Sequence, residues 1–272
     1  MARHPFPIAM ENGASKEEFA RAFEPDAVLF APMLSKPVRG LSQVLNIITH
    51  VSRVARPIQY TLEVKDPGQT ILLWHGNIEG FRLEGATILV DGEGGLIREM
   101  RVLMRSWPMV TLFRNAMHSE LSSMIPADYW ELGPKRISTA RRVFTPIAMK
   151  PVEMALDMEL HSPILTKPVK GKAAVETSLN MAHSIQSPSS YTSIIATPDL
   201  LMELFECDAD GYPMEGLWVS KLNQGGQIND LTVYLRPYPA VTVLRNKAKE
   251  LSETEEELSF LKDDYWELPK SA

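Results

Sequence analysis

Residues 26–115 overlay residues 157–246 without a gap, at a constant offset of 131. The shared residues are those that punctuate a fold. Asp26, Pro32, Leu34, Lys36, Pro37, Val38 and Gly40 meet Asp157, Pro163, Leu165, Lys167, Pro168, Val169 and Gly171. Farther on, Tyr60-Thr61, Gly80, Glu84-Gly85, Arg105, Pro108 and Arg114-Asn115 meet Tyr191-Thr192, Gly211, Glu215-Gly216, Arg236, Pro239 and Arg245-Asn246. Each half closes on one pentapeptide, Asp128-Tyr129-Trp130-Glu131-Leu132 and Asp264-Tyr265-Trp266-Glu267-Leu268, at an offset of 136. Pro7-Ile8-Ala9-Met10 also recurs, as Pro146-Ile147-Ala148-Met149, at 139. A unit this long is a domain rather than a solenoid repeat. The chain reads as one domain written twice, over 1–132 and 133–272.

Each unit is long enough to bury a core of its own. The first carries 13 basic and 15 acidic residues and the second 15 and 19, so the basic footprint of a nucleic-acid binder is missing. No run approaches the ~20 apolar residues of a membrane span, and the N-terminus lacks a secretory apolar stretch. With Cys207 as the single cysteine, an intrachain disulfide and a multi-cysteine metal site are both excluded. A cytoplasmic protein is the expectation, with no nucleic-acid or membrane partner.

The unit opens with a capping-box pattern, Ser15-Lys16-Glu17-Glu18, predicting a short helix through about 23. A strand follows at about 27–31 (158–162), stopped by Pro32 and Pro163. Beyond the Lys-Pro-Val turn, Leu41, Val44, Leu45, Ile48 and Val51 have the spacing of an amphipathic helix. Four strands, about 58–65, 70–79, 81–91 and 97–105, lead into a closing helix at 108–121, or 239–262 in the second copy. Helix, strand, helix, four strands, helix is an α+β layout around a curved antiparallel sheet.

This order resembles the SnoaL-like branch of the nuclear transport factor 2-like superfamily. The resemblance is carried by Asp26/Asp157, the Pro37 to Gly40 and Pro168 to Gly171 turns, the Glu84-Gly85 and Glu215-Gly216 pairs, Gly95-Leu96-Ile97 with Gly226-Gln227-Ile228, and Arg236-Pro237. It implies two tandem cone-shaped α+β barrels, each a curved sheet wrapped around helices, with an apolar pocket in the cone. Members pair through the outer face of the sheet, so the resemblance also implies an intrachain pseudo-dimer, with a higher oligomer open. Ketosteroid isomerases, polyketide cyclases, limonene epoxide hydrolases and proteins that only bind share this fold, so function has to come from the site. Ser106 departs from the pattern in the first copy. Where many catalytic relatives carry Asp, this chain has Thr87 and Trp218.

Strand alternation sorts the candidates. Trp74 and Gly76 share one face, matched by Phe205 and Cys207. Val102 and Met104 in the last strand belong with them, as do Thr87 and Trp218. These eight are the expected pocket residues. His75 and Glu206 occupy the opposite, outer face. Glu84 and Glu215 are weak catalytic candidates: a carboxylate on an apolar face could be a general base, but a solvated place at the mouth is the stronger expectation. Tyr60 and Tyr191 offer a phenolic donor or a strand aromatic with a wet tip. Cys207 reads as a small pocket or core residue. Trp130 and Trp266 read as anchors of a docking clasp.

No metal-ligand spacing, dinucleotide fingerprint, phosphate loop or nucleophile elbow occurs, so no cofactor is expected. Three functions fit: cofactor-independent isomerase, cyclase or hydratase chemistry on a hydrophobic, oxygenated small molecule; binding of such a molecule without chemistry; or a protein-interaction scaffold. Differences between the copies argue that at most one pocket is kept, with Trp218 suited to filling the second cone.

Overall fold

The computed structural model describes residues 3–136, 152–187 and 189–261. Both the second pentapeptide and the Pro146 to Met149 match lie outside them. The sequence expectation contained no helix before Ser15, yet α1 (Pro5–Asn12) forms. His4 Nδ1 accepts from the Phe6 amide at its start, and Gly13 ends it at a φ of 65°. α2 (Lys16–Ala20) begins on the expected capping box, with Ser15 N donating to the Glu18 carboxylate at 2.7 Å. It stops short of 23 because β1 (Phe23–Phe30) has already begun there.

Then follow β2 (Val38–Arg39), α3 (Leu41–Val54), β3 (Gln59–Asp66), β4 (Gln69–Ile78), β5 (Phe81–Asp91), β6 (Ile97–Arg105) and α4 (Trp107–Leu121). Every element from β1 to α4 has a counterpart that starts 131 residues later. These are β7 (Met154–His161), β8 (Val169–Lys170), α5 (Lys172–Ile185), β9 (Ser190–Ala196), β10 (Leu200–Ala209), β11 (Tyr212–Leu222), β12 (Ile228–Arg236) and α6 (Tyr238–Leu251). The closing helix of the second half is not continuous to 262 as expected. Ser252 takes extended backbone, and a second capping box, Thr254 with Glu257, starts a separate helix, α7 (Glu255–Phe260).

In each half four strands run antiparallel in sequence order, and the first strand adds parallel to the last: β1 to β6, β7 to β12. The tight hairpins β4–β5 and β10–β11 turn through two residues of positive φ, Glu79-Gly80 and Asp210-Gly211 at 52° and 84° in both cases. Such turns match the twist of the flanking strands. Asn77 Oδ1 and Asp208 Oδ1 accept from the second turn amide at 2.9 and 3.0 Å. The concave faces pack on the helices as two separate cores.

A third cluster lies where outer faces of the two halves meet: Ile71, Ala86, Ile88 and Leu103 against Met202, Leu217, Val219 and Tyr234. At its edge β6 and β12 pair through Met104 and Leu235. Contacts beyond it are reciprocal. Trp107 stacks on its own counterpart Tyr238, with ring centroids 5.7 Å apart. Trp107 Nε1 donates to Thr242 Oγ1, and Tyr238 Oη meets Thr111 Oγ1, both at 2.9 Å. Arg114 lies over the Tyr238 ring and Arg245 over the Trp107 ring. Residue and counterpart exchanging partners is the mark of an isologous contact.

Candidate functional site

The concave face of each sheet is decided by one aromatic. Trp74 on β4 stands opposite Gly85 on β5, and Phe205 on β10 opposite Gly216 on β11. A Cβ on Gly85 would lie 2.3 Å from the Trp74 ring, and one on Gly216 2.1 Å from the Phe205 ring. The glycine of each Glu-Gly pair therefore exists so that the ring can lie flat across the sheet toward the helices.

In the first half this arrangement is filled. Trp74 Nε1 donates to Thr87 Oγ1 at 3.0 Å, and Met10 from α1 and Phe113 from α4 close on it. What remains is a void of about 40 Å³, lined among others by Tyr60, Trp74, Thr87, Val102 and Met104. The second half holds a cavity of about 300 Å³. Where the first has Ile47, Val51, Trp74, Phe113 and Met117, the second has Ser178, Ala182, Phe205, Leu244 and Ala248, all lining the cavity. These truncations outweigh the enlargements, of which Trp218 in place of Thr87 is the bulkiest and His183 for Ser52 and Gln186 for Ala55 are others. Trp218 does not fill the cone as expected. It lies against the wall, stacked near His183 at 6.3 Å and 24° and edge-on to Phe205 at 5.9 Å. Ser178 and His183 on α5 and Gln186 just past its end bring polar groups to the lining, and α7 adds Glu256, Glu257 and Phe260, with Leu261 directly after it.

Six of the eight expected pocket residues thus line one void or the other. Gly76 and Cys207 line neither. A Cβ on Gly76 would meet the Ala55 carbonyl at 2.8 Å, so this position serves the close approach of α3's end to β4. Cys207 is buried in the second core, and burial pushes its thiol up to about 12, far from a reactive thiolate.

Glu84 and Glu215 sit away from both cavities. Glu84 is bound by Arg105 and by Arg82; burial pushes its carboxyl up, but the two guanidiniums outweigh this and hold it below the usual range. Glu215 bonds Arg236 at 2.8 Å and, from the other half, Arg101 at 3.1 Å. The two guanidiniums keep Glu84 ionised and tie β5 to β6 within the first half, while the Glu215–Arg101 pair ties one half to the other. Tyr60 lines the first void, and burial pushes its phenol well up. Tyr191 packs edge-on to Phe205 at 6.4 Å, also raised by burial.

One titratable residue escapes a search for residues shared between the copies. Glu203 lies on β10 two residues before Phe205, on the same face and opposite Trp218 of β11. Its counterpart in the first half is the fully buried Leu72. Burial raises its carboxyl, and that carboxylate in turn raises Tyr191. The only signal in the sequence is a charge at a position where the other copy buries a leucine. Among the described residues no cluster of three or more His, Cys, Asp or Glu could hold a metal, and no helix is long and apolar enough to cross a membrane.

Fold and site together define a class: repeated curved-sheet α+β units, one enclosing an apolar cavity. No family model and no curated protein matches the chain. Solved structures do match. An uncharacterized protein with a cystatin-like fold from Silicibacter pomeroyi shares 20% identity over 44% of this chain and 84% of its own, with a TM-score of 0.42. A steroid delta-isomerase from Pseudomonas aeruginosa shares 21% over 44% and 88%, at 0.41. An NTF2-like protein of unknown function from Cytophaga hutchinsonii shares 14% over 39% and 88%, at 0.32. Each covers about one unit's length of this chain.

Proposed function

We propose that the chain is a duplicated NTF2-like domain, divided at about 132/133, whose second cone binds a hydrophobic, oxygenated small molecule while the first is a filled, structural copy. The observation that carries this is the contrast between about 300 Å³ and about 40 Å³ in cones built on the same elements. A void near 300 Å³ is at the lower end of ligand pockets. Its apolar walls with Ser178, His183 and Gln186 suit a compact apolar body bearing one or two oxygens. Native mass spectrometry against a panel of such compounds tests it. One molecule bound per chain is the expected result; no binder across the panel, or two equivalent sites per chain, contradicts it. The reciprocal contacts around Trp107 and Tyr238 support reading the halves as a pseudo-two-fold pair.

A second reading adds chemistry, and Glu203 favours it. Its carboxyl, raised by burial, lies on the Phe205 face of β10 opposite Trp218, beside the cavity rather than among its lining residues, and under this reading it exchanges a proton with a ligand that reaches past Trp218. Under this reading Glu203→Gln retains ligand binding and abolishes turnover of whichever panel compound is converted. Unchanged turnover in that variant removes Glu203 from the mechanism.

A further inference from the structure

Beside the cluster that joins the two halves, the outer sheet faces part around a groove of about 560 Å³ to which both halves contribute. Leu204, Glu206 and Glu215 line it from the outer face of β10 and β11, so that sheet stands between the groove and the cone cavity. Ile88, Val90 and Leu103 complete the apolar part of the lining with Leu204. The rest carries both signs of charge, Asp66, Glu99, Glu206 and Glu215 against Arg98 and Arg101. Arg101 is held between Glu99 at 2.6 Å and Glu215 of the other half at 3.1 Å. Gln69 Nε2 donates to Asp66 Oδ2 at 3.2 Å and, across the halves, to Ser193 Oγ at 2.8 Å. The 131-residue offset gives the groove a mirror position, where Tyr234 stands for Leu103, Thr232 for Arg101, Asn229 for Arg98 and Leu200 for Gln69. Tyr234 is 6% exposed, and burial together with the nearby charge of Glu84 pushes its phenol well up. One groove is thus open where its mirror position holds a buried ring, as one cone is open where the other is filled.

We propose that this groove is a second binding site, for a short neutral carbohydrate. Its volume and its place between two folded units are those of small-molecule sites. The lining selects against net charge, because an anion meets carboxylates there and a cation meets guanidiniums. A hydroxyl both donates and accepts, so a polyol bonds to carboxylate and guanidinium alike and leaves the Glu99–Arg101–Glu215 chain unbroken. Gln69 spends both amide hydrogens on Asp66 and Ser193, so its Oε1 offers an acceptor and the Ser193 hydroxyl a donor to the same ligand. The C–H face of a sugar ring covers Ile88, Val90, Leu103 and Leu204, which removes apolar surface from water on both sides. The groove lies outside the cone, and the inference holds whether or not the cone binds a ligand.

Methyl-resolved NMR of the full-length chain, titrated with maltose and with cellobiose, tests it. The methyls of Ile88, Val90, Leu103 and Leu204 are expected to shift with at least one of the two, while those of Ile164 and Leu165 in the cone cavity stay in place. Gln69→Leu and Arg98→Asn each install the residue of the mirror position at a site that solvent reaches, and the methyl spectrum itself reports whether the fold is kept. Each variant is expected to weaken binding about tenfold, the loss of one or two hydrogen bonds. Glucosamine and glucuronate, of one charge each, are expected to shift the groove methyls less than glucose at equal concentration. No groove shift with either disaccharide, affinity unchanged in both variants, or larger shifts with a charged sugar than with glucose overturns the proposal.

Discussion

Glu203 shows how one side chain separates two copies of a fold. Burial raises its carboxyl, so the folded chain holds that proton more tightly than the unfolded chain does. The sign follows. Stability falls as pH rises through the window from the ordinary value of about 4.5 to the raised one, and the full cost persists above it. Glu203→Leu, restoring the residue of the first half, is expected to raise the melting temperature at pH 7 and to lose that gain below pH ~4. Thermal melts across pH check it; a gain independent of pH would mean packing alone. Glu84 has the opposite sign. Held low by Arg105 and Arg82, it contributes stability that disappears as pH falls below the ordinary carboxyl range, so Glu84→Gln is expected to matter at neutral pH and little in acid. At this scale the sequence marks positions without reasons. Gly85 and Gly216 are visible as repeats, but only the rings of Trp74 and Phe205 lying across them explain why no side chain fits.

Among the elements, strands and long helices were legible because apolar periodicity and proline stops act locally. β3 to β6 lie within a residue or two of their expected bounds, and α3 begins directly after Gly40 as its apolar spacing requires. What failed was the ends. α1 rests on a His4 cap and on packing of Phe6 and Met10, neither of which has a period, and α6 breaks at Ser252 despite a helical composition. Ser35 and Arg114 hold the Tyr129 and Trp130 carbonyls in a seat whose counterpart, built by Thr166 and Arg245, holds those of Phe260 and Leu261, 131 residues on, a register that the repeated pentapeptide at an offset of 136 does not follow. Since Trp130 anchors the end of the first half in its core, Trp130→Ala is expected to cost about 3–5 kcal/mol, measured by urea denaturation. A loss below about 1 kcal/mol would mean that the seat is not part of the cooperative core.

For the whole molecule, the outer sheet faces and the reciprocal stack of Trp107 on Tyr238 tie the two cores together. Leu217→Ala, at the centre of that cluster, is expected to cost about 2–5 kcal/mol and to lower a single calorimetric transition shared by both halves. Two separated transitions in the parent chain would show that the halves unfold independently. Architecture was readable from the repeat, since the residues shared by the copies are those that turn and stop the chain. The cavity was not, because it results from several small truncations whose sum, against the bulk of Trp218, is settled only by packing. That sum is also the account's central claim, and mirrored variants test it. Ser178→Ile with Ala182→Val gives the second cone the side chains of the first; Ile47→Ser with Val51→Ala does the reverse to the first cone. Calorimetric titration with a panel binder is predicted to show binding lost in the filled second cone and kept in the trimmed first one. Binding that survives filling of the second cone, or that is lost on trimming the first, would contradict it.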